Sequence, residues 1–263
     1  RKVAARVANR TDGACRRAID DDTAIVRTTY VERVHRRIAF AERQSPMTTP
    51  HQHLILLGGG GHAAVVAEAA RRAGHTIVAI AARDEPMRGA TAHDPFQLVR
   101  WLGDPDTHAG AAHIREAIEQ GARVIIAVGH VELRAQWANA FAEAVADAIV
   151  DPLASVSPSA TLERGAFVAA GAIVQARAVI GAHVIINTRA VVEHDSVIGA
   201  RAHIAPGAIL CGGVVVGEDA LIGAGAVVLP NIRIGANAVV GAGSVVTASV
   251  VDRGTVRGVP ARA

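Results

Sequence analysis

Every sixth residue in the C-terminal half of the chain is aliphatic, and this spacing persists over seventeen successive positions. These positions are Val150, Val156, Leu162, Val168, Val174, Ile180, Ile186, Val192, Ile198, Ile204, Leu210, Val216, Ile222, Val228, Ile234, Val240 and Val246. A small residue, most often alanine, follows four places after most of them. A six-residue period fits neither a helix nor an ordinary strand and is typical of a β-helix built from hexapeptides. The pattern therefore predicts triangular coils of three hexapeptides, with the aliphatic side chains inside and the small residues at the corners.

The predicted β-helix covers about residues 150 to 250 and ends where the tail 256–261 breaks the register. Strand spacing within a sheet makes such a stack about 27 Å tall. Glycine directly follows the aliphatic residue at 181, 199, 217, 223, 235 and 241. We expect these glycines at the corners, where relaxed backbone angles favour them.

A different pattern precedes the repeats. Apolar runs predict strands at 54–57, 76–81 and 123–128, while helical periodicity predicts helices at 62–73 and 132–146. A further strand and helix are expected within 96–120. Alternation of this kind favours a small parallel sheet with crossover helices. The fold class predicted is thus an N-terminal Rossmann-like α/β domain followed by a parallel β-helix.

Composition and charge divide the chain further. Hydrophobic residues make up 51% of it and aromatic residues only 3%, which suits an aliphatic solenoid core. The net charge is +3, but residues 1–46 alone carry +5 and the remainder −2, so no basic surface for nucleic acid is expected on the ordered part. We interpret 1–46 as a non-native or disordered extension, with Met47 as the natural start, 47–150 as the α/β domain and 151–263 as the β-helix. A genuine regulatory arm at 1–46 is the alternative.

Two cysteines far apart, without a signal peptide or a long apolar run, favour a cytoplasmic protein with no membrane insertion.

The first chemical motif is a glycine-rich turn. Gly58, Gly60 and Ala63 match G-x-G-x-x-[GA] between a predicted strand and a predicted helix, where free N–H groups and the helix dipole favour a phosphate. A nucleotide site is therefore expected here, with His62 within reach of the ligand. A dinucleotide enzyme would also need an acid about 20 residues further on, but Asp84 comes later, which weakens hydride chemistry. A tight turn without a ligand is the alternative.

The second motif is His194, which lies outside the aliphatic rows between two carboxylates. One coil further along the chain lies Gly212, so a slender substrate would have room beside the imidazole. Imidazole accepts protons near neutral pH, and a carboxylate that fixes its other nitrogen raises its basicity. Asp195 is our first choice for that role and Glu193 the second. A surface histidine in a charged turn, or Cys211 as an acyl-carrying nucleophile, are the alternatives.

Six segments carry a resemblance to a known family: 57–63, 126–129, 187–199, 202–204, 211–213 and 258–261. In these segments the chain resembles the two-domain sugar O- and N-acetyltransferases of the left-handed β-helix class. That class includes UDP-4-amino-sugar N-acetyltransferases of the bacillosamine pathway, perosamine N-acetyltransferases and sialic-acid O-acetyltransferase-like proteins. The left-handed sense of the coils is implied by this resemblance and not by the periodicity.

The resemblance implies a homotrimer that transfers an acetyl group from acetyl-CoA to an amino, or alternatively a hydroxyl, group of a nucleotide-linked sugar, without a metal. It implies that His194 is the general base and that Asp195 raises its basicity. The residues implied at the acetyl-CoA site are His203, Gly212, Ala224 and Ala242. Those implied at the sugar-nucleotide site are Gly59, Gly60, Gly61, His62, Asp84, Gly129 and Asn187.

The sequence Ala81-Ala82-Arg83-Asp84 departs from relatives that have paired acids after the second strand, so the nucleotide is left open.

Two other functions remain possible at this point. A zinc enzyme like the γ-class carbonic anhydrases shares the hexapeptide helix, but His183, His194 and His203 lack the closely spaced pair that such a site needs. A non-catalytic, nucleotide-binding trimeric scaffold would use the glycine turn without any chemistry on the β-helix.

Overall fold

A computed structural model describes residues 51–86, 94–97 and 99–263 of the chain. The predicted extension 1–46 and the expected start at Met47 lie outside the described residues. All described residues belong to one compact unit. No helix in these three ranges has the length and hydropathy needed to cross a bilayer.

The elements of the N-terminal part are β1 His53–Leu57, α1 Gly61–Arg72, β2 Thr76–Ala81, β3 Arg100–Trp101, α2 His108–Glu119, β4 Arg123–Ile126 and α3 Val131–Ala140. The four strands form a parallel sheet with the order β3-β2-β1-β4. Strand β1 is central, and its residues Leu54, Ile55, Leu56 and Leu57 are fully buried. A parallel strand covered on both faces is apolar at every position instead of alternating, which is why this run predicted a strand.

The predicted helix 132–146 is too long. Helix α3 ends at Ala140, and a 3-10 turn at Ala142–Ala144 follows it. The chain then runs extended beside β4, where the N–H of Ala146 donates to the carbonyl of Val124 at 2.9 Å. This backbone pairing leads the chain directly into the first coil of the β-helix and overrides the helical propensity of the alanines.

The β-helix contains all seventeen predicted hexapeptides. Strands β5 to β21 are two residues long, and each ends in one of the seventeen aliphatic residues. The strands are β5 Ile149–Val150, β6 Ser155–Val156, β7 Thr161–Leu162, β8 Phe167–Val168, β9 Ile173–Val174, β10 Val179–Ile180, β11 Ile185–Ile186, β12 Val191–Val192, β13 Val197–Ile198, β14 His203–Ile204, β15 Ile209–Leu210, β16 Val215–Val216, β17 Leu221–Ile222, β18 Val227–Val228, β19 Arg233–Ile234, β20 Val239–Val240 and β21 Val245–Val246. Strand β22, Thr255–Val256, follows them.

The strands form three parallel sheets, which are the three faces of a triangular prism. Face A contains β5, β8, β11, β14, β17, β20 and β22; face B contains β6, β9, β12, β15, β18 and β21; face C contains β7, β10, β13, β16 and β19. Paired residues are 18 apart, for example Val192 and Leu210. From Val168 to Val246 the second residue of each strand is almost fully buried in one aliphatic core with the corner alanines.

The six glycines that follow the aliphatic residues are explained by close packing, and the expected relaxed backbone angles are wrong for them. None of the six has a positive φ. A Cβ on Gly199 would lie 2.5 Å from the backbone nitrogen of Glu218, and one on Gly223 would lie 2.5 Å from that of Ala242. Glycine is therefore needed at sites such as Gly199 and Gly223 because the next coil passes directly over them, whereas Asn187 and Glu193 occupy the same position at other corners.

From Gly165 to Gly243, the third residue of each corner has a positive φ instead. Glycine fills some of these sites, but nine of the described residues with positive φ are not glycine. They are Arg177, His183, Arg189, Asp195, Arg201, Asp219, Asn231, Asn237 and Arg253. The left-handed conformation is uncommon for arginine, yet four arginines and two aspartates place charged side chains at these corners.

The last coil is shorter than the others. Val256 pairs with Val240 across 16 residues instead of 18, and the N–H of Arg257 donates to the carbonyl of Arg262. The predicted loss of register near residue 256 is therefore present, although the sheet on face A extends to this residue.

The α/β part packs on the first coils of face A. The outward residues Phe167 and Ile185 are buried in the same apolar cluster as Ala63 and Ala67 of α1. At the far end of α1, Arg72 donates to the buried carboxylate of Asp151 at 2.6 Å. These contacts bring the N-terminus of α1 and the glycine turn next to β14 on face A.

Candidate active site

His194 lies at the corner between β12 on face B and β13 on face C, and 59% of its side chain is exposed. Its Nδ1 lies 2.7 Å from Oδ2 of Asp195. A carboxylate can only accept, so Nδ1 carries the proton and Nε2 of the neutral ring has a free lone pair. This corner therefore presents a proton-accepting nitrogen at the surface of the prism.

Gly212 lies one coil above His194, as the pairing of β12 with β15 requires. A Cβ on Gly212 would approach both Cε1 and Nε2 of the imidazole to 2.7 Å. The ring thus lies over the glycine, and the missing side chain is what allows it to do so.

Asp195 is held from two sides. Arg177, one coil below, donates from Nε to Oδ1 at 2.7 Å and from Nη2 to Oδ2 at 2.8 Å. The Arg177 guanidinium, followed by the His194 ring, holds the pKa of the Asp195 carboxyl well below its usual range. Of the two acids beside His194, Asp195 is the one whose carboxylate bonds the ring. Burial, followed by the charge of Glu193, raises the pKa of the Cys211 thiol.

A second polar cluster lies on face A, away from His194. Asn187 donates from Nδ2 to Nε2 of His203 at 3.1 Å, while its Oδ1 accepts from the N–H of Thr188. The rings of His203 and His62 are 6.5 Å apart between their centroids, and His62 also contacts Phe167 edge-on. Within the described ranges, the buried Nε2 of His62 has no hydrogen-bond partner. The structure therefore brings together three of the residues expected at the ligands.

Arg134 sets the electrostatics of this cluster. Its side chain is fully buried and donates to the carbonyl oxygens of Val128, Gly129 and Arg201, so it connects α3 to the β-helix. Burial and then the charge of Arg134 lower the pKa of both His62 and His203 to about 4. Both rings are therefore neutral at pH 7 and can each donate one hydrogen bond and accept another.

The glycine turn lies where β1 meets α1. Gly58 has a φ of 129°, which glycine adopts without strain, and a Cβ on Gly59 would approach Ala82 Cβ to 3.0 Å and the Asp84 carbonyl oxygen to 3.8 Å. Cβ atoms on Gly60 and Gly61 would meet open space. The turn and Asp84 thus lie together at the carboxyl edge of the sheet, where open α/β sheets bind ligands.

The remaining predicted residues, Ala224 and Ala242, lie one coil apart at the corner between faces A and B, and both are exposed. The N–H of Gly243 donates to the carbonyl of Ala224 across the two coils. These alanines and the face A cluster belong to a different part of the surface from His194, because the two corners are separated by face B.

The three histidines considered for zinc are also dispersed. His183 lies at the corner between faces C and A, His194 at the corner between B and C, and His203 on face A. In the part of the chain that the structure describes, no group of three or more His, Cys, Asp or Glu residues has the arrangement of a metal site.

Arg177 and Arg134 are the site residues that the sequence analysis missed. Arg177 had a usable signal, since it precedes Asp195 by one coil length of 18 residues. Arg134 had none, because its contact with Arg201 depends on how α3 packs against the β-helix.

Comparison with protein families gives two matches. A family described as bacterial transferase hexapeptide (six repeats) matches residues 177–212 and 213–248, and the PglD N-terminal domain matches residues 53–141. Among curated proteins, no sequence matches significantly.

Several solved structures are similar over most of their length. One is a histidine-to-asparagine variant of perosamine N-acetyltransferase from Caulobacter crescentus in complex with CoA and GDP-perosamine. It is 38% identical to this chain, with a TM-score of 0.72, and the match covers 80% of this chain and 95% of the other. The acetyltransferase domain of PglB from Neisseria gonorrhoeae, in complex with acetyl coenzyme A, is 32% identical with a TM-score of 0.69, covering 81% of this chain and 98% of its own. The fold is an α/β parallel sheet followed by a left-handed parallel β-helix. The chain therefore belongs to the family of hexapeptide-repeat sugar N-acetyltransferases that have a PglD-type N-terminal domain.

Proposed function

We propose that this protein transfers the acetyl group of acetyl-CoA to an amino group of a nucleotide-linked sugar. The observation that carries the proposal is the 2.7 Å hydrogen bond between His194 and Asp195, which leaves Nε2 free beside the bare backbone of Gly212. The relatives that bind CoA, acetyl-CoA or GDP-perosamine support the two substrate classes.

The reaction is a direct transfer in a ternary complex. The sugar amine attacks the thioester carbonyl while His194 Nε2 accepts its proton, and Asp195 stabilises the resulting imidazolium. The C–S bond then breaks, and the imidazolium returns the proton to the CoA thiolate. No carbonyl in the described part of the chain accepts from the N–H of Gly212, so this group can stabilise the oxyanion.

We assign the sugar nucleotide to the edge formed by the glycine turn, His62 and Asn187. The unpartnered Nε2 of His62 supports this assignment, because a buried polar atom needs a partner and a bound ligand can supply one. Gly129 and Asp84 border the same edge of the sheet. Residues 47–150 would then form the sugar-nucleotide domain and 151–263 the acetyltransferase domain. Acetyl-CoA would extend along His203, Ala224 and Ala242.

We further propose a homotrimer. In a single protomer His194 and the face A cluster lie on different parts of the prism, whereas a neighbouring subunit can bring the two together. Five of the six outward residues of face B are aliphatic and at least partly exposed, which suits association. They are Ile173, Val191, Ile209, Val227 and Val245, and the sixth is Ser155 on β6. A cytoplasmic location follows from the proposed co-substrate, because acetyl-CoA is a cytoplasmic metabolite.

The test measures CoA thiol release from acetyl-CoA with a panel of GDP-, UDP- and dTDP-linked 4-amino sugars and their 4-hydroxy counterparts. We expect turnover with at least one amino sugar and a roughly 10² to 10⁴-fold lower kcat for His194→Asn, with acetyl-CoA binding retained. Turnover only with hydroxyl acceptors or with free sugars would contradict the proposal that the acceptor is a nucleotide-linked amino sugar. Unchanged turnover in His194→Asn would contradict the mechanism.

A further inference from the structure

Arg177 and Asp195 form a vertical ion pair between two coils at the corner that holds His194. Both residues occupy the third corner position with a φ of 60°, and the pairing of β9 with β12 places them one coil apart. The fixed backbone directs both side chains along the same edge of the prism. The guanidinium consequently meets the carboxylate with two parallel hydrogen bonds, of 2.7 and 2.8 Å.

Both oxygens of Asp195 are therefore occupied. Oδ1 accepts from Arg177 Nε, while Oδ2 accepts from Arg177 Nη2 and from His194 Nδ1. A carboxylate with no second partner can rotate about its Cβ–Cγ bond, and the imidazole bonded to it would follow. The bidentate fork removes that freedom, because an arginine matches a carboxylate plane with two donors.

We propose that Arg177 is a positioning residue for the reaction: by clamping Asp195 it fixes the orientation of the His194 ring over Gly212. This inference depends on the proposed function for its role in turnover. Arg177 would not touch either substrate, and its effect would reach the reacting atoms only through Asp195 and His194.

Solvent limits any effect of the Arg177 charge, because 65% of its side chain is exposed. The two hydrogen bonds to Asp195 therefore carry the positioning argument.

The experiment compares Arg177→Gln and Arg177→Lys with a matched control, Arg253→Gln. Arg253 also occupies a third corner position with a φ of 60° and is exposed, but it lies on a distant coil. Activity is measured as kcat and the KM of each substrate. The fold of each variant is checked by circular dichroism and its assembly by light scattering.

We expect kcat of Arg177→Gln to fall about tenfold, with both KM values nearly unchanged, because a misplaced base affects chemistry more than binding. Arg177→Lys keeps the charge but not the two-donor fork, so its kcat should recover only in part. Arg253→Gln should resemble the unmodified protein.

Wild-type kcat in Arg177→Gln would overturn the proposal. A parallel loss in Arg253→Gln would also overturn it, since the effect would then come from any corner arginine. If the unmodified protein proves inactive, the proposed function fails but the positioning claim remains testable. In that case the NMR signals of the His194 ring should still change in Arg177→Gln and not in Arg253→Gln, and unchanged signals in Arg177→Gln would refute the clamp.

Discussion

Gly212 shows how a single missing side chain shapes the site. It is the second residue of its corner, a position that holds alanine at Ala176, Ala200 and Ala236 and therefore has no backbone need for glycine. The need comes from His194, whose ring occupies the space of the absent Cβ. Glycine at position 212 is therefore needed for the position of the His194 ring and not for the fold of the corner.

Gly212→Ala is expected to lower kcat by roughly 10²-fold, because the new methyl group must displace the imidazole from its position over the coil. Steady-state thiol release measures this. Stability should change little, since other corners carry alanine at the same position. The reverse change on a different corner, Ala236→Gly, is the control and should leave kcat intact. A Gly212→Ala protein with full activity would show that the ring does not need its present position.

Part of the site could be predicted from residue spacing alone. His194, Asp195 and Gly212 followed from the 18-residue coil, and the same spacing also relates Arg177 to Asp195. The contact between His62 and His203 could not be foreseen in this way. It depends on the packing of α1 against face A, and no periodicity in the sequence specifies how two different domains meet.

At the scale of a coil, glycine has two distinct physical roles. At the first corner position, Gly199 and Gly223 are needed because the next coil lies too close for a Cβ, although Glu193 fits at this position on another corner. At the third position, glycine only supplies a left-handed backbone. We predicted that the first group lies at the corners but gave it the reason that belongs to the second. Glycine satisfies both needs, so the residue type alone does not separate the two roles.

Gly199→Ala should destabilise the protein by about 1 to 3 kcal/mol, since its Cβ would lie 2.5 Å from the nitrogen of Glu218 and the coils must separate. Urea denaturation gives the free energy of unfolding. Gly207→Asn is the matched control: its φ is 68°, the space around it is open, and Asn231 and Asn237 already occupy equivalent positions. If both variants lost the same stability, close packing would not be the reason for Gly199.

Buried histidines near the junction between α1, α3 and face A should make the stability of the protein depend on pH. Burial, followed by charge from arginines including Arg134, lowers the pKa of His62, His183 and His203 to about 4. In the unfolded chain these groups titrate near 6.5, so unfolding takes up protons below that pH. Above pH 6.5 the histidines are neutral in both states and do not reduce the free energy of unfolding. As the pH falls from 6.5 towards 4, only the unfolded chain takes up protons, so the folded protein loses stability.

The free energy of unfolding should therefore decrease between pH 6.5 and 5, a range above the normal titration of carboxyl groups. Urea denaturation across this range measures the slope. His183→Gln should reduce it by less than about a third, because it removes one of the three histidines whose pKa is lowered to about 4, while His75, whose pKa burial also lowers, adds to the remaining slope. A flat profile in the unmodified protein would mean that these histidines do not stay neutral in the folded state.

At the scale of the whole molecule, the proposed trimer makes a prediction about mixed subunits. If each active site combines His194 of one subunit with Asn187 and His203 of its neighbour, His194→Ala and the double variant Asn187→Ala/His203→Ala carry complementary defects. Co-expressed in equal amounts, they should restore about a quarter of the normal activity, because one interface in four then receives both intact parts.

Each variant alone provides the control and should remain inactive. Light scattering should give three times the mass of one chain for all of them. If a mixture that is shown to contain mixed trimers recovers no activity, each active site must lie within a single subunit.

The uniform coil has a consequence for how this molecule tolerates change in length. Each coil contacts mainly the coils directly above and below it, so the stack behaves as a one-dimensional array. Removing or duplicating a full set of three hexapeptides beyond the catalytic corner would leave every remaining layer in register, whereas a change of one residue would turn the following aliphatic side chains outward. Only the last coil, at the end of the stack, is two residues shorter and still packs its aliphatic residues against the core. Within the stack, gains and losses of sequence are therefore expected as whole layers, and the prism can become taller or shorter without altering its cross-section.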